Sequence, residues 1–402
     1  MELALKENSS EISLAQVKVD DDAFLMRTYA RLPVCFVRGE GLKLWDDAGK
    51  EYLDFLGGIA VNALGHCHPR IVRAIQEQAA TLIHTSNLYY TVPQVDLARE
   101  LTATASFDRV FFCNSGAEAN EAALKIARKA GKTVSSEKIG IITATHSFHG
   151  RTMGTVTATA QAKYQDPFRP LLPGVAYVER NDVAALKLAV SERTCAILLE
   201  PIQGESGVHP LSREFLQAAR DLADENKALL IFDEVQCGMG RTGDWWAFQA
   251  TGVTPDLFTS AKALGSGLPI GACVARGRAA ETFVPGDHGS TFAANPLATT
   301  AALETIRTIA DEGLLSRAAE MGAYLKAGLL DELGDRVVEV RGRGLMLGVQ
   351  LAGKNARQAM LAALEKGLIV NAIGDSVLRL LPAYVVTKSQ IDQAIDILAE
   401  IL

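Results

Sequence analysis

What most constrains this chain is an alternation that starts near Arg70 and fills its middle. Short runs rich in β-branched, aromatic and other apolar residues fall at 109–113, 139–143, 175–178, 195–199, 228–232, 256–259 and 270–274. Longer amphipathic segments, such as 117–130 and 212–226, lie between several of them. Strands that alternate with helices form a mostly parallel sheet with helices on its faces, so the pattern predicts an α/β fold. Upstream, the stretch GLKLWD–DAGK–EYLDFL at 41–56 reads as two short strands around a Gly-containing turn, and residues 1–22 are polar enough to start loosely. After Asn295-Pro296 the texture changes again, to a long helical stretch over 297–330 broken near Gly313. Strand-like 337–340, 344–351 and 377–381 follow, with helices at 356–366 and 389–401. The expected division is an N-terminal segment with a short hairpin (1–70), a large ligand-binding domain (71–297) and a small C-terminal α+β domain (298–402). A length of 402 residues suits such a division and buries a large core without disulfides or metals.

Composition narrows the function classes. A net charge of −7 argues against nucleic acid or an anionic membrane as the main partner. No apolar stretch reaches the ~18 residues needed to span a bilayer. The acidic opening MELALKENSSEISLAQVKVDDD has neither a basic n-region nor an apolar h-region, so no signal or transit peptide is expected and the cytoplasm is the expected location. The six cysteines are scattered, without a CxxC pair, and read as small buried hydrophobes in a reducing compartment.

Chemically capable residues collect at the ends of the runs. Asn114-Ser115-Gly116 follows the run ending at Cys113, His146-Ser147-Phe148 the run ending at Thr143, Glu200 follows AILL, Asp233 follows LLIF, and Lys262 follows DLFTSA. Parallel α/β sheets bind ligands at the carboxyl ends of their strands, so five such deliveries predict one shared site. Ser115 is placed to cap a helix, with Glu118 three residues on completing a capping-box pattern. Such a turn is either a well-capped helix and nothing more, or a phosphate site built from Ser115 and the amides of Gly116 and Ala117. Asp233 is either a solvated strand end or a carboxylate that keeps a ring nitrogen protonated, turning a pyridine into an electron sink. Lys262, in TSAKALGSGLPIGA, follows a buried-looking strand, the setting in which a lysine becomes a reactive amine. Two further patterns are decoys. Residues 238–243 fit GxGxxG but lie well past their strand and open no clear helix. His66, His68, His146 and His149 have metal-like local spacing without any CxxC or HExxH, and no metal is expected.

NSGAEANEAALKIAR, HSFHGRT, EPIQGESG, DEVQCGMGRTG, SAKALGSGLPIGA and HGSTFAANPLA occur in this order, with GGIAVNALGHCHP nearer the front. Together they resemble the class III aminotransferases, enzymes of pyridoxal 5'-phosphate fold type I (aspartate aminotransferase-like), from about residue 30 to the C-terminus. The resemblance implies that Lys262 holds the cofactor as a Schiff base and moves the substrate proton. It implies that Asp233 pairs with the pyridine nitrogen, that Gln236 reaches the ring oxygen, and that Val235 and Phe148 sandwich the ring. Ser115 and Gly116 would bind the phosphate, and Thr291 would reach the phosphate of a partner subunit in a homodimer with shared sites. Ser290 would lie beside the substrate. Arg151 would grip a substrate carboxylate, Arg379 the second carboxylate of glutamate, and Glu205 would pair with Arg379 when glutamate is absent.

Two arginines make independent physical sense, because a dicarboxylate needs a bidentate cation at each end. Taken singly, Arg379 could equally be a structural ion pair. Within the family the motifs are most similar to the branch that transfers the δ-amine of N-acetylornithine to 2-oxoglutarate. Ile59 stands where members acting on ornithine carry a tyrosine, and an apolar residue there suits an acylated amine. N-Succinyl-diaminopimelate, 4-aminobutyrate and ornithine are the alternative donors, and a non-catalytic binding protein on the same scaffold is the remote alternative.

Overall fold

The computed structural model describes residues 13–353 and 355–402. All seven apolar runs form one seven-stranded sheet, in the spatial order Arg109–Cys113, Gly271–Ala275, Leu257–Ser260, Leu229–Asp233, Thr194–Leu199, Gly140–Ala144 and Val175–Val178. Each lies within a residue of its expected span. Only Gly271–Ala275 runs antiparallel to its neighbours, so the other six strands point the same way. The five that deliver polar residues belong to those six, and Leu229–Asp233 is the central strand. Thr194–Leu199, Leu229–Asp233 and Leu257–Ser260 are buried along their whole length, which explains why they read as apolar runs rather than alternations.

The N-terminal strands Phe36–Glu40, Lys43–Asp46 and Glu51–Asp54 form an antiparallel meander rather than a simple hairpin. Glu51–Asp54 also pairs in parallel with Leu368–Ile369, so this first segment shares a sheet with the far end of the chain. A third sheet, antiparallel throughout, has the order Val337–Arg343, Met346–Leu351, Val377–Leu380 and Asn371–Ile373. The long helical stretch splits into Pro296–Asp311 and Leu314–Leu333, and Gly313 supplies the left-handed joint at φ 63° that other residues resist. Pro296–Asp311 packs on helices Pro69–Thr81 and Val92–Ala103.

The loose start expected for 1–22 needs correction where it can be seen. Residues 1–12 lie outside the described residues, but Leu14–Phe24 is a helix capped by Ser13, whose hydroxyl accepts from the Gln16 amide. The helix buries no residue, which is why its sequence carries no apolar stripe. Among the described residues no helix is long and apolar enough to cross a membrane.

Helix Gly116–Lys132 carries the proposed phosphate turn at its start and presses on the sheet at its far end. A Cβ on Gly131 would sit 2.2 Å from the Lys138 carbonyl oxygen and 2.6 Å from Cys195 Cβ. Backbone cannot give way as a flexible side chain can. Gly131→Ala is therefore expected to cost about 1–3 kcal/mol, read as a lower urea midpoint with unchanged slope.

Candidate active site

The carboxyl edge of the main sheet opens into a cavity of about 430 Å³. Ser115, Gly116 and Ala117 line it from one strand end, Phe148 and Arg151 from the next, Glu205 from the loop after Glu200, Asp233, Val235 and Gln236 from the central strand, and Lys262 from its neighbour. Arg379 stands immediately behind Glu205 and Gln236.

Ser115 caps helix Gly116–Lys132 through a 3.2 Å bond from the Glu118 amide. The expected reciprocal half of the capping box is shifted by one residue. Glu118 Oε2 accepts from the backbone and side-chain amides of Asn114, at 2.6 and 2.8 Å, and not from Ser115. Gly116 and Ala117 are first-turn residues, whose N–H groups have no carbonyl within the helix to bond. A Cβ on Gly116 would meet Val235 Cγ1 at 2.8 Å, so only glycine lets Val235 come this close to the turn.

Asp233 ends its strand 4% exposed and fully engaged. Its Oδ2 accepts from Asn120 Nδ2 at 2.7 Å and meets His149 Nδ1 at 2.8 Å, and its Oδ1 accepts from the Val235 amide at 3.0 Å. Asn120 is itself fixed, accepting from Thr259 Oγ1 at 2.8 Å and donating to the His149 carbonyl at 2.8 Å. Asn120 and His149 escape a sequence reading. Asn120 looks like one more polar residue on a helix, and His149 like a member of a scattered histidine set. The spacing of Asn120 one turn past Ser115 was the only available signal.

Lys262 adopts φ 47°, a left-handed conformation that costs a residue with a Cβ. Burial pushes its amine below the ordinary lysine range, opposed by the nearby Glu205 carboxylate and assisted by Arg379. Glu205 is raised by burial, but Arg379 and Lys262 outweigh that and hold its carboxyl below the usual value.

Arg379 is 1% exposed. It donates to Glu205 Oε1 at 2.5 Å, Gln236 Oε1 at 3.0 Å and Asn371 Oδ1 at 2.8 Å, while its buried Nε has no partner among the described residues. Gln236 in turn donates to Glu205 Oε1 at 3.0 Å, so its amide joins a closed triad with the ion pair. Arg151 differs in kind. It is exposed and lies over the Tyr164 ring at 3.9 Å, and Phe148 meets Tyr164 edge-on. Ser290 accepts from Asn114 Nδ2 at 2.7 Å, next to the phosphate turn, and Thr291 beside it is exposed; neither lines the cavity. Ile59 is exposed at φ 64°, within a turn where Gly57, Gly58 and Ala60 are also left-handed. The loop at 238–243 opens no helix and carries buried Arg241 to the Leu345 and Pro382 carbonyls, and His66 pairs with Asp54 at 2.8 Å.

The class III aminotransferase family profile matches residues 24–402. The chain belongs to the class III aminotransferases. The acetylornithine aminotransferase of Methanocaldococcus jannaschii is 50% identical over 379 residues, covering 94% of this chain and 95% of its own. That of Gloeobacter violaceus is 51% identical over 378 residues, covering 93% and 94%. Among solved structures, the ornithine aminotransferase of Toxoplasma gondii superposes with a TM-score of 0.93 at 32% identity, covering 97% of this chain and 95% of its own. The N-acetylornithine aminotransferase of Stenotrophomonas maltophilia does so with 0.82 at 37% identity, covering 96% and 98%.

Class III aminotransferases use pyridoxal phosphate, and the cavity of this aminotransferase fits that group on its own evidence. A helix start with free amides, a buried carboxylate and a desolvated lysine border one space of suitable size.

Two more buried acids complete the edge. Burial pushes Glu200 and Glu234 up to about 7 each. Glu200 accepts from the Phe148 amide at 3.0 Å and the Gly204 amide at 3.3 Å, tying together the loops that carry Phe148 and Glu205. Glu234 accepts from the amides of Ala247 and Phe248, away from the cavity. A carboxyl raised on folding gives stability that is full below its unfolded value, near 4.5, and lost as pH climbs through 7. The unfolding free energy of the wild type relative to Glu234→Gln should accordingly fall by up to about 3 kcal/mol between pH 5 and 8. A pH-independent difference in denaturation would refute it.

Proposed function

We propose that the protein transfers the δ-amine of N-acetylornithine to 2-oxoglutarate, giving N-acetylglutamate 5-semialdehyde and glutamate, as a step of arginine biosynthesis. The observation that carries this reading is the pair of arginines flanking Lys262: Arg379, buried and neutralised by Glu205, and Arg151, exposed and without a carboxylate partner among the described residues. Relatives about half identical over nearly their whole length act on acetylornithine by name, which supports the same donor.

Pyridoxal phosphate, when bound, supplies an electron sink for the carbanion left at the amine-bearing carbon. Ser115, with the Gly116 and Ala117 amides, holds its phosphate, while Val235 and Phe148 enclose its ring. The Asp233 carboxylate would pair with the ring nitrogen and keep it protonated, and Gln236 would reach the ring oxygen. Lys262 would hold the cofactor covalently, and its Nζ would serve as the base that takes the proton from the substrate's amine-bearing carbon. Burial lowers its basicity, which favours the role of a base. Thr291 reaches the phosphate of a second copy, with Ser290 beside the substrate, in a cytoplasmic homodimer. The two remaining pieces of substrate recognition are Arg151 for the carboxylate common to both substrates and Arg379 for the second carboxylate of glutamate.

Ile59 offers no polar group to a free amino-acid head. With 2-oxoglutarate as acceptor, kcat/KM should be highest for N-acetylornithine, then N-succinyl-diaminopimelate, with ornithine and 4-aminobutyrate at least ~10-fold lower, or about 1.4 kcal/mol. A preference for either unacylated amine would overturn the assignment.

The arginine pair makes the two half-reactions unequal. Acetylornithine leaves Arg379 without a carboxylate, and a buried cation stripped of its partner costs several kcal/mol, so Glu205 has to stay. Glutamate brings its own carboxylate and displaces Glu205. Glu205→Ala is expected to retain or improve the glutamate half-reaction and to slow that of acetylornithine by ~10-fold or more. Single-turnover absorbance changes of the cofactor separate the halves, and equal losses would reduce Glu205 to a structural role.

A further inference from the structure

Arg151 lines the cavity as an exposed side chain, with neither a hydrogen bond nor an ion pair among the described residues. What it does have is a ring. Its Cζ lies over Tyr164, 3.9 Å from the centroid. Tyr164 is not among the residues that line the cavity, so its contact is with the arginine and not with the substrate space. Both sides of this stack are fastened. On the arginine's side, Glu121 accepts from the Thr152 hydroxyl and from the amides of Gly154 and Thr155, at 3.0 and 3.2 Å. On the tyrosine's side, buried Gln165 donates to the carbonyls of Thr157 and Thr159 at 3.0 and 2.8 Å, and Gln161 donates to the Ser147 carbonyl at 2.9 Å. The ring also meets Phe148 edge-on at 5.9 Å, and Lys163 Nζ lies 4.6 Å from its centroid.

We propose that Tyr164 is a positioning residue, whose ring face holds the Arg151 guanidinium ready for the substrate's carboxylate. The assignment rests on Arg151 gripping that carboxylate. A guanidinium stacks by its face and donates in its plane, so a ring can hold it while leaving its bidentate edge free. A protein carboxylate in place of the ring would occupy that edge, as Glu205 occupies Arg379. Without the stack an exposed arginine samples many rotamers, and each binding event must then order it. The loss therefore falls on carboxylate binding and not on the amine chemistry at Lys262.

Two measurements on the full-length holoenzyme test this. Calorimetry gives the Kd of glutarate, a dicarboxylate with no amine to react. Single-turnover rates compare N-acetylornithine with N-acetyl-1,4-diaminobutane, the same acylated amine without its carboxylate. Tyr164→Leu is expected to weaken glutarate binding and to lower the acetylornithine rate constant at limiting substrate by ~5-fold or more, with less than ~2-fold change for the carboxylate-free amine. Tyr164→Phe, which keeps the ring face, should stay within ~2-fold of wild type throughout. Tyr164→Gln, expected to match the leucine variant, covers the case in which that variant does not fold. Equal losses for both amines would mean that Tyr164 only supports Phe148 and the loop, and no loss for either would mean that Arg151 needs no stack; both overturn the proposal. The same selective loss in Lys163→Ala would overturn it too, by assigning the effect to that charge. Arg151→Ala serves as the reference, with the same selectivity but a larger loss. If it treats the two amines alike, the reading of Arg151 falls and this proposal with it, a result distinct from the failure of Tyr164 alone.

Discussion

A charge taken out of water must be met by another charge or by several hydrogen bonds, and the carboxyl edge of the main sheet gathers six ionisable groups, four of them buried and Glu205 and Lys262 half-buried. Asp233, Glu200, Glu234, Glu205, Lys262 and Arg379 all lie there, and the arrangement of the surrounding loops follows from satisfying them. Glu205 and Arg379 neutralise each other, and Gln236 closes the pair. Asp233 is met by Asn120, His149 and a backbone amide. Among the described residues, Glu200 and Glu234 have only neutral donors within bonding distance, and both are driven toward the protonated form. Among the same residues Lys262 has neither a hydrogen bond nor an ion pair, the setting in which an amine becomes reactive.

This compensation also explains why the sheet runs mostly one way. Parallel strands end on the same edge, so the strand ends can each contribute a polar residue to one place while the charged groups stay out of the strand interiors. The reversed strand, Gly271–Ala275, contributes no charged side chain, but it brings Gly271 so close that a Cβ there would lie 2.3 Å from the Ser115 carbonyl. It acts as a wedge that sets the height of the turn at Ser115.

The main strands were legible because burial on both faces leaves apolar runs with sharp polar ends, and a period of that kind is local information. Ser115, Gly116, Ala117, Phe148, Arg151, Glu205, Asp233, Val235, Gln236 and Lys262 were legible among the lining residues for the same reason, since each follows a strand or belongs to a motif that does. What escaped was tertiary. The parallel pairing of Glu51–Asp54 with Leu368–Ile369 joins positions more than three hundred residues apart. Asn371 reaches Arg379 only because Asn371–Ile373 and Val377–Leu380 are neighbours in register. The shifted capping box at Asn114 and the uncovered helix at Leu14–Phe24 depend on side-chain geometry and on solvation, neither of which changes the apolar period.

Part of the backbone strain follows the same map. Left-handed residues with side chains are costly, at about 1–2 kcal/mol each, and those at Ile59, Ala60, His146, Met239, Lys262 and Ser266 flank the residues that line the cavity or the loops that carry them. The left-handed turn from Gly57 to Ala60 is held by Asp54, whose Oδ1 accepts from the Leu56 and Gly57 amides. Asp54 is in turn held by His66. Lys262 is kept at φ 47° by the strand that ends at Ser260 on one side and by the short 3-10 turn packed under helix Pro296–Asp311 on the other. A relaxed backbone at these positions would turn the side chains elsewhere. The strain is therefore sustained by packing far from the chemistry, and the large buried core is what lets a small number of costly conformations persist where the reacting groups must point.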